Sequence, residues 1–119
     1  MAAGGLPYLT GDGWSVGEVY EKAYGYKRVN VKQVGRNFEG CVAGDICSIA
    51  VTFHNMGHAC MYDGYRWISD FKQNNAIPYS SGVKWARVWR WKDIPGDFNV
   101  PPDADGSFES TNYEGGGPS

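Results

Sequence analysis

The sequence is short of several features that would place it quickly. Nowhere does an apolar run approach the roughly 18 residues of a membrane-spanning helix. The first residues carry neither the basic start nor the apolar stretch of a secretory signal. No membrane span and no signal peptide are expected, and the localisation stays open on these grounds. Cysteine is scarce: Cys41, Cys47 and Cys60 are the only three, and none stands in a Cys-x-x-Cys frame. That argues against a disulfide framework and against a zinc ribbon. Cys47 and Cys60 lie in apolar, strand-like contexts and read as small core residues. There are two histidines, His54 and His58, four residues apart. Such a pair grips a metal from one helix face, but Asn55-Met56-Gly57 between them reads as a turn, so no metal is expected.

Basic residues are missing from one region altogether. All 11 Lys and Arg fall within residues 1–92, with 7 acidic residues, leaving that part net +4, while residues 93–119 hold 6 acidic residues and no base. A body of +4 suits an anionic polymer such as nucleic acid or glycan, and it is equally an ordinary solvated surface. The chain of 119 residues supports one small core. The expected organisation is a folded domain over 1–92 and an acidic, Gly- and Pro-rich tail over 93–119 that is mobile or held by a partner.

What is present is a succession of strand-like segments after one helix. Ala2-Ala3-Gly4-Gly5 has the look of a helix's last turn. Ser15 followed by Glu18 is a capping-box pattern, Val16, Val19, Tyr20 and Ala23 recur at helical spacing, and Gly25 is a stop. This predicts a helix over 16–24 with Val19 and Tyr20 toward the sheet and Glu18, Glu21 and Lys22 in water. Residues 26–34 alternate as an edge strand or extended loop, 35–44 read as loop, and 45–53 are apolar enough for the central buried strand. Residues 72–82 read as loop. Residues 83–91 alternate as the last strand, with Trp85, Arg87, Trp89 and Trp91 on one face and Ala86, Val88 and Arg90 on the other. An α+β fold follows: a curved antiparallel sheet of about four to six strands with a short helix.

The stretch from Gly57 to Phe71 carries the chemistry. Asp63-Gly64 between β-prone runs is a strong hairpin signal. His58, Cys60 and Tyr62 then share one face. A tight turn pairing Tyr62 with Tyr65 sets His58 near Ser69 and Asp70. A carboxylate on one imidazole nitrogen leaves the other able to take a proton, so His58 is a candidate general base and Asp70 its orienting partner. The plain alternative is a satisfied polar pair with no catalytic role. Trp85, Trp89 and Trp91 with Arg87 and Arg90 form either a stacking platform for sugar or single-stranded nucleic acid, or simply a core strand.

Ala43-Gly44-Asp45-Ile46, Gly57-His58-Ala59-Cys60-Met61-Tyr62, Trp67-Ile68-Ser69-Asp70-Phe71-Lys72-Gln73 and Arg87-Val88-Trp89-Arg90-Trp91 follow one another as in a known family. They resemble the papain-like cysteine amidases of the NlpC type and the related CHAP domains, which cleave amide bonds of bacterial cell-wall peptides. The resemblance covers roughly residues 2–91. It implies a half-barrel sheet, His58 as base, Asp70 as orienting residue with Ser69 as the alternative, Tyr62 and Trp67 on the substrate side, and no cofactor. It implies bacterial cell-wall peptide as the partner, reached from the cytoplasm by delivery to the wall, with phage or toxin components as further partners. The family's nucleophilic cysteine begins a helix ahead of this region, and no cysteine precedes Cys41. Three readings follow: the His/Asp-bearing part of an enzyme completed by another segment, an inactive relative that binds wall glycan or nucleic acid or serves in assembly, or an enzyme using Cys60 or Cys47.

Overall fold

The computed structural model describes residues 12–69, 72–101 and 104. After a single 3₁₀ turn over Gly13–Ser15 comes helix α1 (Val16–Tyr24). Among the described residues eight strands follow: β1 (Tyr26–Arg28), β2 (Lys32–Val34), β3 (Asn37–Glu39), β4 (Ile46–Val51), β5 (His58–Tyr62), β6 (Trp67–Ile68), β7 (Lys72–Gln73) and β8 (Val83–Trp91). Six of them form one curved, unclosed sheet in the order β1-β8-β4-β5-β6-β7, and β2 with β3 makes a separate hairpin. Every strand pair in both sheets is antiparallel. The fold class read from alternation is the one found. The Ala2-Ala3-Gly4-Gly5 segment lies outside the described residues.

Helix α1 has the predicted bounds, but its entry is different. Ser15 makes no capping bond; its hydroxyl donates to the Asp12 carbonyl at 2.9 Å, within the 3₁₀ turn. The exit is as expected, since Gly25 takes φ 79° and its N–H reaches the Tyr20 carbonyl, a left-handed stop that favours glycine. The buried stripe is rotated from the expected one. Val16 and Gly17 are buried and Tyr20 packs beside them, whereas Val19 is 44% exposed. Gly17 explains the rotation: its N–H donates to Ser48 Oγ at 2.9 Å, and a Cβ there would lie 2.1 Å from the Trp89 ring. Glu21 is not simply solvated, because its carboxylate accepts the Trp89 indole N–H at 2.8 Å.

β4 lies between β5 and β8, and the two registers sort its residues onto two faces. Ile46 pairs with Met61 and Trp89, and Cys47 with Cys60 and Val88. Ile46 and Ala59 join Val16 under α1, while Cys47, Ile49, Cys60, Ala86 and Val88 form the main core with Trp67, Ala76 and Ile77. The predicted alternation of β8 is present, and the strand is a core strand. Trp89 is 1% exposed beneath α1 and separates Trp85 from Trp91, so the three indoles do not make one platform.

Several boundaries move. Residues 26–34 split into β1 and β2, β3 occupies part of the expected loop 35–44, and β7 part of the loop expected over 72–82. The Asp63-Gly64 turn is wider than a two-residue turn: Tyr62 pairs with Trp67, and Asp63 Oδ1 accepts the N–H groups of Tyr65 (2.7 Å) and Arg66 (2.6 Å). Those backbone donors hold the Asp63 carboxyl below its usual pKa. Such side-chain turns compete with tight hairpin geometry. Residues 93–101 lie against the body. Asn30 N donates to Asp97 O at 2.7 Å, Arg90 Nη1 to Pro95 O at 2.8 Å, and Phe98 packs on the main core.

Candidate functional site

His58 opens β5 and sits directly across the ladder from Ile49. Its Nε2 is 2.6 Å from Gln73 Oε1. Gln73 is 3% exposed, and its amide nitrogen donates to Asn75 O at 2.8 Å and Ala76 O at 3.1 Å. Two carbonyls can be served only by the amide N–H groups, so the amide oxygen must face the imidazole. An oxygen accepts, so Nε2 carries a proton. That contact holds the imidazole in a fixed orientation. Tyr79 meets the His58 ring edge-on at 5.9 Å, and Phe53 meets Tyr79 at 5.4 Å.

The orienting contact at Nε2 therefore comes from Gln73, a residue the sequence placed in a motif without a role. Its signal was its position after a second short turn, which brings β7 alongside β6 and sets Gln73 opposite Trp67. Asp70 lies outside the described residues, and Ser69 stands one residue past β6. Trp67 is 2% exposed, stacked on Tyr62 at 5.0 Å and on Phe38 at 6.4 Å, and so belongs to the core; Tyr62 is half-buried beside it.

Cys60 shares the His58 face, as the alternation requires, but that face is covered by Trp67, Ala76 and Ile77 rather than by a helix. Its thiol is 3.5 Å from the Ala76 carbonyl. Burial first, then the hydrogen bond to Cys60, pushes the Cys47 thiol well up. Burial first, then the Asp45 carboxylate, pushes Cys41 from 9.0 to about 12. A thiol held that high is protonated near neutrality and a poor nucleophile.

What abuts His58 from the other side is the start of α1. The Gly13 Cα points at the His58 backbone so closely that a Cβ would lie 2.5 Å from it, and Trp14 N donates to Met56 O at 3.2 Å. The helix beside the base thus begins Gly13-Trp14-Ser15. A cleft of about 630 Å³ adjoins it, walled by Trp14, Glu18, His54, Lys84, Trp85 and Arg87 among others. Arg87 lies 3.9 Å above the Trp85 ring, a cation–π contact. His54 is a turn residue, its Nδ1 accepting Met56 N at 3.2 Å and Gly57 N at 3.3 Å. Among the described residues no group of three or more His, Cys, Asp or Glu is placed to hold a metal.

This combination defines an α+β protein with a curved antiparallel sheet and an oriented histidine at the edge of one buried face. No family model and no curated protein matches the sequence. Among solved structures it is similar to a chain of the type VI native effector–immunity complex Tae3–Tai3 from Ralstonia pickettii. Identity is 26%, the match covers 76% of this chain and 74% of that one, and the TM-score is 0.55.

Proposed function

We propose that this chain is an amidase-like protein of the type VI effector–immunity kind, which engages cell-wall peptide at the His58 site and, by itself, does not cleave it. The observation that carries this reading is the contrast at His58. The His58 ring, the candidate base, is held at Nε2 by Gln73, and no thiolate faces it among the described residues. Amide hydrolysis through an acyl-enzyme needs a nucleophile within hydrogen-bond reach of the base, about 2.6–3.2 Å. The helix start beside His58 supplies Gly13, Trp14 and Ser15, and the three cysteines are held protonated or packed in the core. The resemblance to cysteine amidases and the likeness to an effector–immunity component support the wall-directed part of the proposal.

The test is incubation of the purified chain with muropeptides, followed by mass spectrometry for cleavage and by titration of the His58 ring resonances for binding. Binding that is lost in His58→Ala, without cleavage products, is the expected outcome. Cleavage by the chain alone that disappears in Cys60→Ala would replace the proposal with the relocated-cysteine enzyme. Cleavage appearing only when a cysteine-bearing segment is supplied would replace it with the two-part enzyme. A complete lack of binding would remove wall peptide as the ligand.

A protein partner is the second reading, and one observation favours it. Phe53 (56% exposed), Met56 (62%) and Trp14 (37%) stand close to the site, Trp14 N donating to Met56 O and Phe53 packing on the Tyr79 ring that meets His58, and exposed apolar residues of this size are typical of covered surfaces. Co-purification of a tight complex whose formation is blocked by Phe53→Asp and Met56→Asp would favour it over peptide binding.

A further inference from the structure

The cleft beside the start of α1 has walls of opposite charge. One wall is the segment that opens the helix, with Asp12 and Glu18; the other is β8, with Arg87. Ala50 of β4, the ladder partner of Trp85, lies in the floor between them. The seating of α1 sets the gap: Gly17 N donates to Ser48 Oγ at 2.9 Å, and Gly17 lies so close on the Trp89 ring that no side chain fits between them. At about 630 Å³ the cleft falls in the range of roughly 300–1,000 Å³ that suits a small ligand. Among the described residues Asp12 and Glu18 take part in no ion pair, so neither carboxylate is neutralised from the opposite wall.

Aromatic surface is held in place on both walls. Trp14 is 37% exposed. Its N–H donates to Met56 O at 3.2 Å, and a Cβ at Gly57 would lie 2.9 Å from the Trp14 Cβ, so the stem of this side chain rests on the Gly57 backbone. On the other wall Arg87 Cζ lies 3.9 Å from the centre of the Trp85 ring. A guanidinium stacked on an indole keeps its charge and its planar fork of N–H donors, the geometry that grips a carboxylate through two bonds. We propose that this cleft binds a short peptide with free ends, its carboxylate on Arg87, its ammonium group on Asp12 and Glu18, and an apolar side chain against Trp14. A neutral sugar has no use for charges of either sign, and the carboxylates of the helix wall repel a polyanion such as nucleic acid. The inference rests on the cleft alone and does not require that the His58 site engage wall peptide.

Glu18 and Arg87 are half-buried and Asp12 is exposed, so solvent weakens each ionic contact relative to a buried one. Capping one end of the peptide removes one charge and should weaken binding about three- to tenfold. Capping both ends should multiply the two losses, because contacts on opposite walls share no partner.

The experiment is titration of the full chain with trialanine, followed by the indole N–H resonances of Trp14 and Trp85, and repeated with the N-acetylated, C-amidated and doubly capped peptides. The expected result is a saturable shift of both indoles, tightest for the free peptide and weakest for the doubly capped one. Glu18→Gln should reduce the penalty for acetylation and keep the penalty for amidation; Arg87→Gln should do the reverse. An unchanged resonance of the buried Trp89 indole shows that each variant is folded, and should either fail to fold, the capped peptides on the parent chain still decide. Equal affinity for free and doubly capped trialanine overturns the proposal, as does the absence of any saturable shift at the two indoles. Shifts confined to the His58 ring also overturn it, and place the peptide at the other site. Muropeptides that fail to bind while trialanine binds would remove the wall-peptide reading and leave this one standing.

Discussion

Two polar pairs lie on the same face of the central sheet, at opposite ends of β4, and they differ in what they hold in place. At one end Arg90 grips Asp45 through Nε (2.9 Å) and Nη2 (2.8 Å), while Nη2 also reaches Gly40 O and Nη1 reaches Pro95 O. Asp45 in turn accepts Val42 N at 3.0 Å. Every group there is turned inward onto protein, and the pair pins the approach to β4, the loop at Gly40 and the segment after β8. At the other end the half-buried His58 meets Gln73, whose amide accepts from Nε2 and donates to Asn75 O and Ala76 O. The first is a charged pair that joins β8 to the approach to β4; the second holds a ring in place at the head of β5. Burial of polar groups therefore does not distinguish the two pairs, whereas what each one holds in place does.

The largest expected effect comes from breaking the charged pair. Arg90→Met removes the guanidinium and leaves the Asp45 carboxylate buried with no counter-charge, which costs about 3–5 kcal/mol. Against a typical domain stability of about 5–15 kcal/mol this is a large fraction, visible as a shift of the urea midpoint. A loss below about 1 kcal/mol would show that solvent reaches Asp45 and that the pair is not a keystone.

Next in size is the contact that brings the start of α1 to His58. Gly17→Ala places a methyl about 2.1 Å from the Trp89 ring and should cost up to about 3 kcal/mol by overpacking. It should also shift the His58 ring resonances without touching that residue, since the 3₁₀ turn ahead of α1 packs on the His58 backbone. Unchanged His58 signals in a destabilised protein would separate the helix from the site.

A pH titration sharpens the comparison from the Asp45 end. Cys41 is raised from 9.0 to about 12, first by burial and then by Asp45, so the folded state holds its proton more tightly than the unfolded chain. The contribution is fully present below pH 9 and is lost as the pH rises toward 12. Thermal melts should show a loss of about 2 kcal/mol by pH 11, smaller in Cys41→Ala. Equal alkaline losses in both proteins would assign the effect to other groups, of which the raised Tyr20, Tyr26 and Tyr79 are the nearest to hand.

Sequence pattern carried far at the level of elements and less far at the site. Alternation in β8 and the apolar run of β4 are local signals, and each strand formed where its side chains can divide between two faces. His58 was legible because a histidine at the head of such a strand stands out from its neighbours. Gln73 was not, because its role depends on two successive turns. The Asp63 carboxylate caps two backbone N–H groups and widens the first turn, so that Tyr62 pairs with Trp67 rather than with Tyr65. The Arg90–Asp45 pair was likewise hidden, since its partners are 45 residues apart and only the β4–β8 register brings them together. Alternation assigns a residue to a face; only the pairing says what it meets there.

The last expected change is the one that most directly tests what the His58–Gln73 pair does. Gln73→Leu deletes the acceptor at Nε2 and the two donors to Asn75 and Ala76, with a net cost of about 1–3 kcal/mol, because each lost hydrogen bond contributes about 1 kcal/mol and a buried carbonyl is left without a donor. Its effect on His58 should be large in kind. With Gln73 present, nitrogen-15 spectra should show the imidazole protonated at Nε2; in Gln73→Leu that preference should weaken, and muropeptide binding should weaken with it. Arg90→Met, examined in conditions where it remains folded, should leave that tautomer unchanged despite its greater cost in stability. If the tautomer is the same in Gln73→Leu as in the parent, another neighbour of His58 sets it, and the orienting role assigned to Gln73 fails even if the protein is destabilised as expected.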